Sequence, residues 1–406
     1  MSDDVSRAVE TVARESYGRL IAYLSARTRD VAGAEDALSE ALLAALTTWP
    51  RDGVSRKPEA WLLTAARHRL VDRARHERVR AQSTPTLELI AADAGEATPP
   101  ERFPDERLKL LFVCAHPAID PDVHTPLMLQ AVLGLDAARI ARAFLVSPST
   151  MGQRLVRAKT KIRDAGIAFE IPEPDELPRR LDAVLDAIYV AYGSGWEDAA
   201  GADPRRHGLA DEAIWLARVL AAQMPNEPEV RGLLALMLHC EARRAARRTP
   251  DGRYVPLSDQ DARLWSASMI EEAERELAAA AKRAGPGRFQ LEAAMQSVHA
   301  ERARSGRTDW HAILAFYDGL LHIASTLGAR VGYVAAIAEA KGPDQALVLL
   351  DEIDGAVVTT YQPYWAVRAH LLSRLGQKRE APEAFDRAIG LTEDQAVRQF
   401  LLERRG

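Results

Sequence analysis

The sequence predicts an all-α protein built from several helical domains, and three observations support this fold class. Apolar residues recur at helical spacing along most of the 406 residues, whereas no segment alternates convincingly as a strand. The apolar fraction of 47% and the charged fraction of 27% are typical of a globular chain. A pattern also repeats at an interval of 34 residues, because Ala335 and Gly342 recur as Ala369 and Gly376, and such an interval favours a helical-repeat domain.

The first 80 residues predict three helices and a short loop. Apolar residues at helical spacing place the first helix over 7–28 and the second over 34–48. A stretch rich in Pro and Gly, 50–58, predicts a loop, and a third helix follows over 59–80. Residues 81–104 are polar, with Pro, Gly and acids, which is the composition of a linker.

The third helix has a cationic face and an aromatic residue at its start. Arg69 and Arg73 share this face with further basic residues, while Trp61 and His68 lie near the loop. Cations and an aromatic side chain beside a loop suit single-stranded nucleic acid, because backbone attraction and base stacking then act together. The alternative for Trp61 is a core tryptophan, and the sequence alone favours neither.

Residues 105–165 predict a helix-turn-helix. Asp136 can cap one helix, and Ser147 followed by Pro148 is a strong start for the next. That second helix buries residues at a spacing of 4, 3 and 4, which leaves the polar residues on its other side. These polar residues are Ser149, Thr150, Gln153, Arg154, Arg157 and Lys161. A helix of this kind fits the major groove of DNA, although a solvated helix face is the alternative.

The C-terminal part, 179–406, follows a Pro-rich boundary at 171–178 and is helical throughout. Its last unit has small and aromatic residues where two helices must touch, and it resembles the tetratricopeptide repeat; these residues are Trp365, Ala369, Gly376, Ala381, Phe385 and Ala388. An ordinary helical bundle is the alternative. Polar and aromatic clusters at 251–254 and 287–290 would suit a groove for an unknown protein or ligand, but ordered loops are the simpler interpretation.

Charge is distributed unevenly along the chain. The net charge of −5 combines +2 for residues 1–164 with −7 for the remainder. Five cations and no acid lie between Arg154 and Arg163, and local clusters of this kind indicate contact with polyanions.

Two segments resemble bacterial sigma factors of the extracytoplasmic-function (ECF) type. The residues AEDALSE at 34–40 and PEAWLLTAARHRLVDRAR at 58–75 resemble region 2 of these proteins, and 135–163 resembles region 4. Both segments stand in the expected order with a suitable linker between them. The helical-repeat tail resembles one ECF group that carries a tetratricopeptide-like C-terminal extension.

The resemblance implies four parts with different roles. Region 2, over 7–80, would bind core polymerase and the −10 element, and region 4, over 105–165, would bind the −35 element. The linker 81–104 would set the span between them, and 179–406 would regulate the factor.

The resemblance also assigns residues. Glu35, Asp36 and Glu40 would dock on the β′ subunit of RNA polymerase, with further contacts to β. The −10 element would be opened and read by Trp61, Arg67, His68, Arg69 and Arg73, and the −35 element by the six polar residues of the recognition helix. Catalysis in transcription belongs to the polymerase, so we expect no catalytic residue, no metal and no cofactor.

The sequence departs from the family pattern at two informative positions. His68 stands where the family often has Asn, so the −10 base preference can differ. Gly152 replaces a frequent cation within the recognition helix, where it costs about 1 kcal/mol relative to Ala.

Composition excludes several other classes of protein. No apolar run approaches the roughly 20 residues of a membrane helix, and the acidic start of the chain is not a signal peptide. Cys114 and Cys240 are too far apart in sequence to suggest a disulfide framework. We expect a cytoplasmic protein. Alternatives to a sigma factor are a helix-turn-helix regulator that acts without polymerase and an interaction scaffold; an enzyme is the weakest.

Overall fold

The computed structural model describes residues 2–80, 105–144, 146–173, 175–197, 204–283 and 285–405. Within these ranges the regular structure is helical, apart from one isolated bridge between Arg248 and Tyr254, which confirms the predicted all-α class. The linker predicted for 81–104 lies outside the described residues. The chain divides into two compact units, of which the first combines 1–195 with 203–216 and the second combines 196–202 with 217–406.

The helices of the first unit follow the predicted order closely. They are α1 (Ser2–Thr28), α2 (Val31–Asp52), α3 (Pro58–Arg80), α4 (Arg107–Cys114), α5 (Pro121–Ala131), α6 (Ala137–Ala143), α7 (Pro148–Asp164), α8 (Leu177–Glu197) and the first part of α9 (Pro204–Gln223).

The loop after α2 is shorter than the sequence predicts. Helix α2 continues through Pro50 to Asp52, so only residues 53–57 connect it to α3. A proline in the last turn removes a single helical hydrogen bond and does not end the helix. The helix ends instead at Gly53, whose φ of +84° suits glycine and whose N–H donates to the Trp49 carbonyl at 2.9 Å.

Region 2 is a bundle of the first three helices. Helix α2 packs against both α1 and α3, and it buries Ala34, Ala37, Leu38, Ala41 and Ala45. These are positions that its helical spacing predicts. Asp30 caps α2 by accepting a hydrogen bond from the Gly33 N–H at 3.0 Å. Small residues on one face let the three helices approach closely, which holds the start of α3 beside the end of α2.

The segment that resembles region 4, 105–165, contains α4 to α7 and is called region 4 below. It packs against region 2 within the same unit. Helix α1 contacts α4 and α5, and α2 contacts α7. A close approach occurs at Gly18 of α1, where a Cβ atom would overlap the carbonyl oxygen of Val132. The first helix of the predicted extension, α8, and the start of α9 also belong to this unit, so the compact units do not divide at residue 179.

The second unit is a series of paired helices. After the remainder of α9 they are α10 (Pro228–Glu241), α11 (Ala267–Ala280), α12 (Arg288–Ser305), α13 (Trp310–Ile323), α14 (Leu327–Ala340), α15 (Pro343–Asp351), α16 (Gly355–Val358), α17 (Gln362–Arg374), α18 (Glu380–Leu391) and α19 (Gln395–Arg405).

The repeat unit recognised in the sequence forms the pair α17 and α18. Ala369, Ala381, Phe385 and Ala388 share one buried cluster with Leu401 of α19. The earlier residues of the 34-residue pattern lie in the pair α14 and α15, because Ala335 is in α14 and Gly342 directly precedes α15. Small residues therefore occur where successive helices touch. Whether these pairs form a tetratricopeptide-like array stays a prediction.

Candidate functional site

Helix α7 begins where the sequence predicts and presents its polar side to solvent. The Ser147 hydroxyl accepts a hydrogen bond from the Thr150 N–H at 3.1 Å, and Pro148 occupies the first turn. Helix α6 is capped similarly, because Asp136 accepts from the Arg139 N–H at 2.9 Å. The two helices pack together. Leu145, which was predicted to lie in the connecting turn, is outside the described residues.

The six side chains predicted to read DNA on α7 are all exposed; they are Ser149, Thr150, Gln153, Arg154, Arg157 and Lys161. The opposite side of the helix is buried through Met151, Leu155, Ala158 and Ile162, as the 4, 3, 4 spacing predicts. Within the described part of the chain, the three cations among the six form no ion pair. The surface therefore keeps its positive charge available to an anion.

Lys159, another cation of α7, behaves differently. Lys159 follows Leu155 by four residues and precedes Ile162 by three, so helical spacing places it beside the core. Only 9% of its side chain is exposed, and its ammonium contacts Glu35 of α2 at 2.5 Å and the Gln130 side-chain oxygen at 3.0 Å. Lys159 thus joins region 4 to region 2.

Glu35 is correspondingly withdrawn from solvent. Its side chain is 16% exposed, and one carboxylate oxygen has no hydrogen-bond partner in the described structure. Burial raises the pKa of Glu35, although the charge of Lys159 acts in the opposite direction. In this conformation Glu35 faces region 4, whereas Asp36 and Glu40 face solvent.

The cationic face of α3 is exposed but already paired with acids. Arg69 contacts Glu40 at 3.3 Å, and Arg73 contacts Asp36 at 2.8 Å. His68 is exposed and Arg67 is half-buried. The acids predicted to bind polymerase and two cations predicted to bind DNA therefore neutralise each other across the surface shared by α2 and α3.

Trp61 is half-buried and contacts a second tryptophan that the sequence reasoning did not single out. The rings of Trp61 and Trp49 meet edge to face with centroids 5.4 Å apart. Trp49 itself is buried, and its indole N–H has no partner among the described residues. Trp61 thus covers a core tryptophan and keeps part of its ring accessible, an intermediate between the two alternatives left open by the sequence.

The start of α3 is held by α1. Glu59 accepts hydrogen bonds from the Ser16 hydroxyl and the Arg19 guanidinium. Because Glu59 lies two residues before Trp61, these contacts fix the beginning of the helix against region 2. The flanking residues 53–57 have no regular helix, so the aromatic pair stands next to a connection that is not constrained by helical hydrogen bonds.

Two exposed leucines on α2 were missed by the sequence reasoning. Leu43 is 63% exposed and Leu46 is 40% exposed, and both lie on the side of α2 that carries Asp36 and Glu40. A similar case is Val156 of α7, which is 60% exposed among polar neighbours. The signal was present in the sequence, since these apolar residues fall outside the buried helical stripe.

His116 and His124, two histidines that flank the turn at 120–122, make local contacts. The His116 ring accepts a hydrogen bond from the Ala118 N–H at 3.1 Å, and the His124 ring contacts the Ile119 carbonyl at 3.0 Å. No cluster suited to a metal ion occurs in the described ranges. Nor does any helix within them have the length and apolar character needed to cross a bilayer.

The second unit has one cavity beside the predicted polar and aromatic cluster. The segment after α10 turns back near residues 249–254 and packs on α19, where Tyr254 meets Phe400 edge to face at 5.3 Å. Arg248 also pairs with Asp394. A cavity of about 350 Å³ lies between this turn and α19, lined partly by Arg253, Gln399 and Glu403. The cluster is therefore an ordered loop that borders a cavity.

Comparisons with known proteins agree with the resemblance in the sequence. Residues 12–80 match the family described as Sigma-70 region 2. The chain is 30% identical over 177 residues to the ECF RNA polymerase sigma factor SigC of Mycobacterium tuberculosis and to the probable RNA polymerase sigma-C factor of Mycobacterium bovis. Each match covers 86% of the relative and 42% of this chain.

The chain belongs to the ECF family of RNA polymerase sigma factors. The family acts in transcription initiation. The part of this sigma factor that matches region 2, residues 12–80, contains most of α1 and all of α2 and α3.

The rest of the sigma factor is a fused extension. Residues 180–281 match a family of unknown function, DUF6596. An uncharacterized protein of Rhizobium meliloti is 37% identical over 393 residues, which covers 95% of this chain and 92% of the relative. Sigma regions and extension therefore occur together in that relative too. No solved structure matches the chain.

Proposed function

We propose that the protein binds core RNA polymerase and directs initiation at promoters that it recognises through both a −35 and a −10 element. The observation that carries this proposal is the polar side of α7, whose three reading-face cations are exposed and form no ion pair within the described residues. Exposed, uncompensated cations on a capped helix suit the phosphates and base edges of a duplex.

Helix α7 is assigned to the −35 element. Ser149, Thr150 and Gln153 lie in its N-terminal part, the part of a recognition helix that reaches base edges. Arg154, Arg157 and Lys161 follow along the same exposed side and suit phosphates and guanine. The exposed Val156 adds an apolar group of the kind that contacts a thymine methyl group.

Helix α3 is assigned to the −10 element. Trp61, whose ring is accessible in part, offers a stacking surface next to the loop 53–57. Arg67, His68, Arg69 and Arg73 extend from it along α3. Base stacking on an aromatic ring and attraction between cations and the backbone are the two terms that bind an opened single strand.

Helix α2 is assigned to polymerase. Asp36 and Glu40 supply charge, and Leu43 and Leu46 supply apolar area on the same side. Exposed leucines with an acidic border suit a protein partner better than DNA. This combination favours a polymerase-binding sigma factor over a helix-turn-helix regulator that acts alone. Glu35 completes the acidic set only when its contact with Lys159 opens.

The fused extension is assigned a regulatory role in the cytoplasm. The part of the chain after residue 164, which contains the extension, carries a net charge of −7 and opposes the basic clusters of the sigma regions. A regulator within the same chain would remove the need for a membrane anti-sigma factor. The cavity beside α19 offers a place for an unidentified protein segment or ligand. Removing residues 179–406 in promoter assays tests this role, since unchanged activity would contradict it.

Transcription with purified components tests the central proposal. Core RNA polymerase, this protein and fragmented genomic DNA are combined, and the transcript start sites are mapped. We expect new start sites that share upstream elements and depend on the protein. The variant Asp36→Asn with Glu40→Gln separates the two candidates, because it should reduce transcription while DNA binding persists. Absence of any protein-dependent start site would overturn the proposal.

A further inference from the structure

Arg107, at the start of α4, has an unusual set of partners for a charged residue. Only 7% of its side chain is exposed. Its guanidinium bonds to the Asp105 carboxylate, with the shortest contact at 2.9 Å, and pairs with Glu212 of α9. The Trp215 ring, also on α9, lies 3.9 Å from the guanidinium carbon. A buried cation with two carboxylates and a ring is firmly positioned.

The aliphatic part of the same side chain lies against region 2. A Cβ atom built on Gly18 of α1 would be 3.5 Å from the Arg107 Cδ, and it would overlap the carbonyl oxygen of Val132. A Cβ atom built on the neighbouring Gly134 would likewise be 3.1 Å from the Tyr17 ring. Arg107 therefore lies beside a place where region 2 and region 4 approach closely.

The second junction between the two regions withdraws a predicted polymerase contact. Glu35 of α2 is held by Lys159 of α7, which also bonds to Gln130 of α5. Breaking a buried pair leaves a buried charge without compensation, so this junction resists opening as long as the helices stay packed. While both junctions are closed, α2 does not offer Glu35 to polymerase, and α3 and α7 remain parts of one compact unit.

One side chain thus lies at the meeting of three elements, since Arg107 of α4 places its Cδ beside Gly18 of α1 and its charge against Glu212 and Trp215 of α9. Loss of the α9 contacts would free the rotamers of a long side chain that now fills the groove at Gly18. It would also leave the Arg107 guanidinium with fewer partners in a buried place, so that exposure to water would become more favourable for this charge. Packing of α9 and packing of region 4 on region 2 therefore support each other.

We propose that α9, the second helix of the extension, is an intramolecular clamp that keeps the two sigma regions closed through Arg107. Release of Arg107 by Glu212 and Trp215 opens the junction at Gly18, frees Glu35 and lets α3 and α7 separate to the spacing of a promoter. This inference rests on the proposed function, and it identifies α9 as the part of the extension that regulates the sigma regions.

The test uses the full chain and two variants that alter α9 alone. Glu212→Gln keeps the size of the side chain and removes its charge, and Trp215→Leu removes the ring while keeping apolar volume. Nitroxide labels at Thr47→Cys in α2 and Ala138→Cys in α6, both exposed positions, report the distance between the regions; a Cys240→Ser background avoids labelling Cys240. Unlabelled protein is titrated into core polymerase in a transcription assay.

We expect both variants to shift the label distances to longer values and to lower the concentration of protein needed for half-maximal transcription by about tenfold, a typical coupling between two sites. The matched control is Glu339→Gln, which removes an ion pair with Arg374 at 2.7 Å in the second unit, away from α9. The control should change neither measurement.

Three results would overturn the clamp. The first is a pair of folded variants with unchanged distances, and the second is longer distances without any gain in transcription. The third is an equal effect of the control. If the unmodified protein supports no transcription in any form, the proposed function fails, whereas the distance measurement still decides whether α9 holds the regions together. Thermal unfolding monitors folding, and Trp215→Leu serves alone if Glu212→Gln does not fold.

Discussion

Helices α3 and α7 are both assigned to DNA, yet they hold their cations in opposite ways. On α3, Arg69 and Arg73 are paired with acids of α2 at 3.3 and 2.8 Å. On α7, Arg154, Arg157 and Lys161 are exposed and unpaired within the described structure. The compensating acids lie on α2, the helix assigned to polymerase, so we expect the exposed cations of α3, unlike those of α7, to exchange partners when polymerase binds.

This arrangement gives a physical reason for the order of events. Ion pairs between exposed side chains contribute only about 0–1 kcal/mol each, so a cationic partner displaces them easily. In the proposed function, polymerase that binds Asp36 and Glu40 would release Arg69 and Arg73 for the DNA strand. The −35 surface needs no such release. We therefore expect its affinity for DNA within the polymerase complex to depend on whether the two regions can separate.

The largest effect is expected on the unpaired surface. Arg154→Glu with Arg157→Glu should reduce transcription from a promoter with a −35 element by about 100-fold, because each base or phosphate contact contributes about 1–3 kcal/mol. Transcription with core polymerase measures the loss. The control Arg263→Glu reverses an exposed cation of the second unit, which pairs with Asp261. An equal loss in the control would show that overall charge, not this surface, matters.

On the paired surface we expect smaller effects, with opposite signs for the affinity for polymerase and the affinity for DNA. Asp36→Asn with Glu40→Gln should weaken polymerase binding about tenfold, a loss of about 1.4 kcal/mol. The affinity of the free protein for single-stranded DNA should instead rise, because Arg69 and Arg73 lose their partners. Fluorescence anisotropy with labelled core enzyme and with labelled DNA measures both.

The control for the paired surface is Glu301→Gln, which removes an exposed acid paired with Arg304 at 3.4 Å in the second unit. A fall in DNA affinity for the α2 variant would contradict the exchange of partners between α2 and α3.

The salt dependence of DNA binding compares the two surfaces directly. Each phosphate contact contributes about 0.9 to the slope of log K against log salt. Lys161→Ala should therefore reduce the slope by about 0.9 for the free protein bound to duplex DNA. Arg69→Ala should reduce it less, since Glu40 already compensates this charge. Equal reductions would mean that the ion pairs of α3 do not persist in solution.

The smallest expected effect concerns the stability of α7. A Cβ atom at Gly152 would meet no other atom within 4 Å, so Gly152→Ala should stabilise the protein by about 1 kcal/mol through helix propensity. The matched control, Gly134→Ala, should destabilise the protein, because φ at Gly134 is +68° and the added Cβ atom would lie 3.1 Å from the Tyr17 ring. Urea unfolding measures both, and a loss of stability at Gly152 would reveal a neighbour on this side of α7.

Local signals in the sequence predicted the helices and the reading side of α7. Ser147 and Pro148 start a helix through interactions within one turn, and the buried spacing from Met151 to Ile162 follows from geometry. The predicted end of α2, at residue 48, was wrong by four residues, because Gly53 competes with Pro50 as a terminator and the positive φ decides between them. Such effects lie within the reach of sequence reasoning.

Contacts between distant segments could not be predicted in the same way. Lys159 is 124 residues from Glu35, and Arg107 is 105 residues from Glu212. No periodicity connects positions so far apart, so the pairing of α2 with α7 and of α4 with α9 came only from the packed structure. The roles assigned to individual site residues stay predictions, although their exposure is now described.

Gly18 makes the junction of the two sigma regions sensitive to mutation. Every amino acid that a single nucleotide change can substitute for glycine carries a Cβ atom, and here that atom would strike the Val132 carbonyl. Any amino-acid substitution at this codon is therefore expected to loosen the junction. If the closed form restrains transcription, a single substitution at Gly18 would give a bacterium constant expression of the genes that this sigma factor controls.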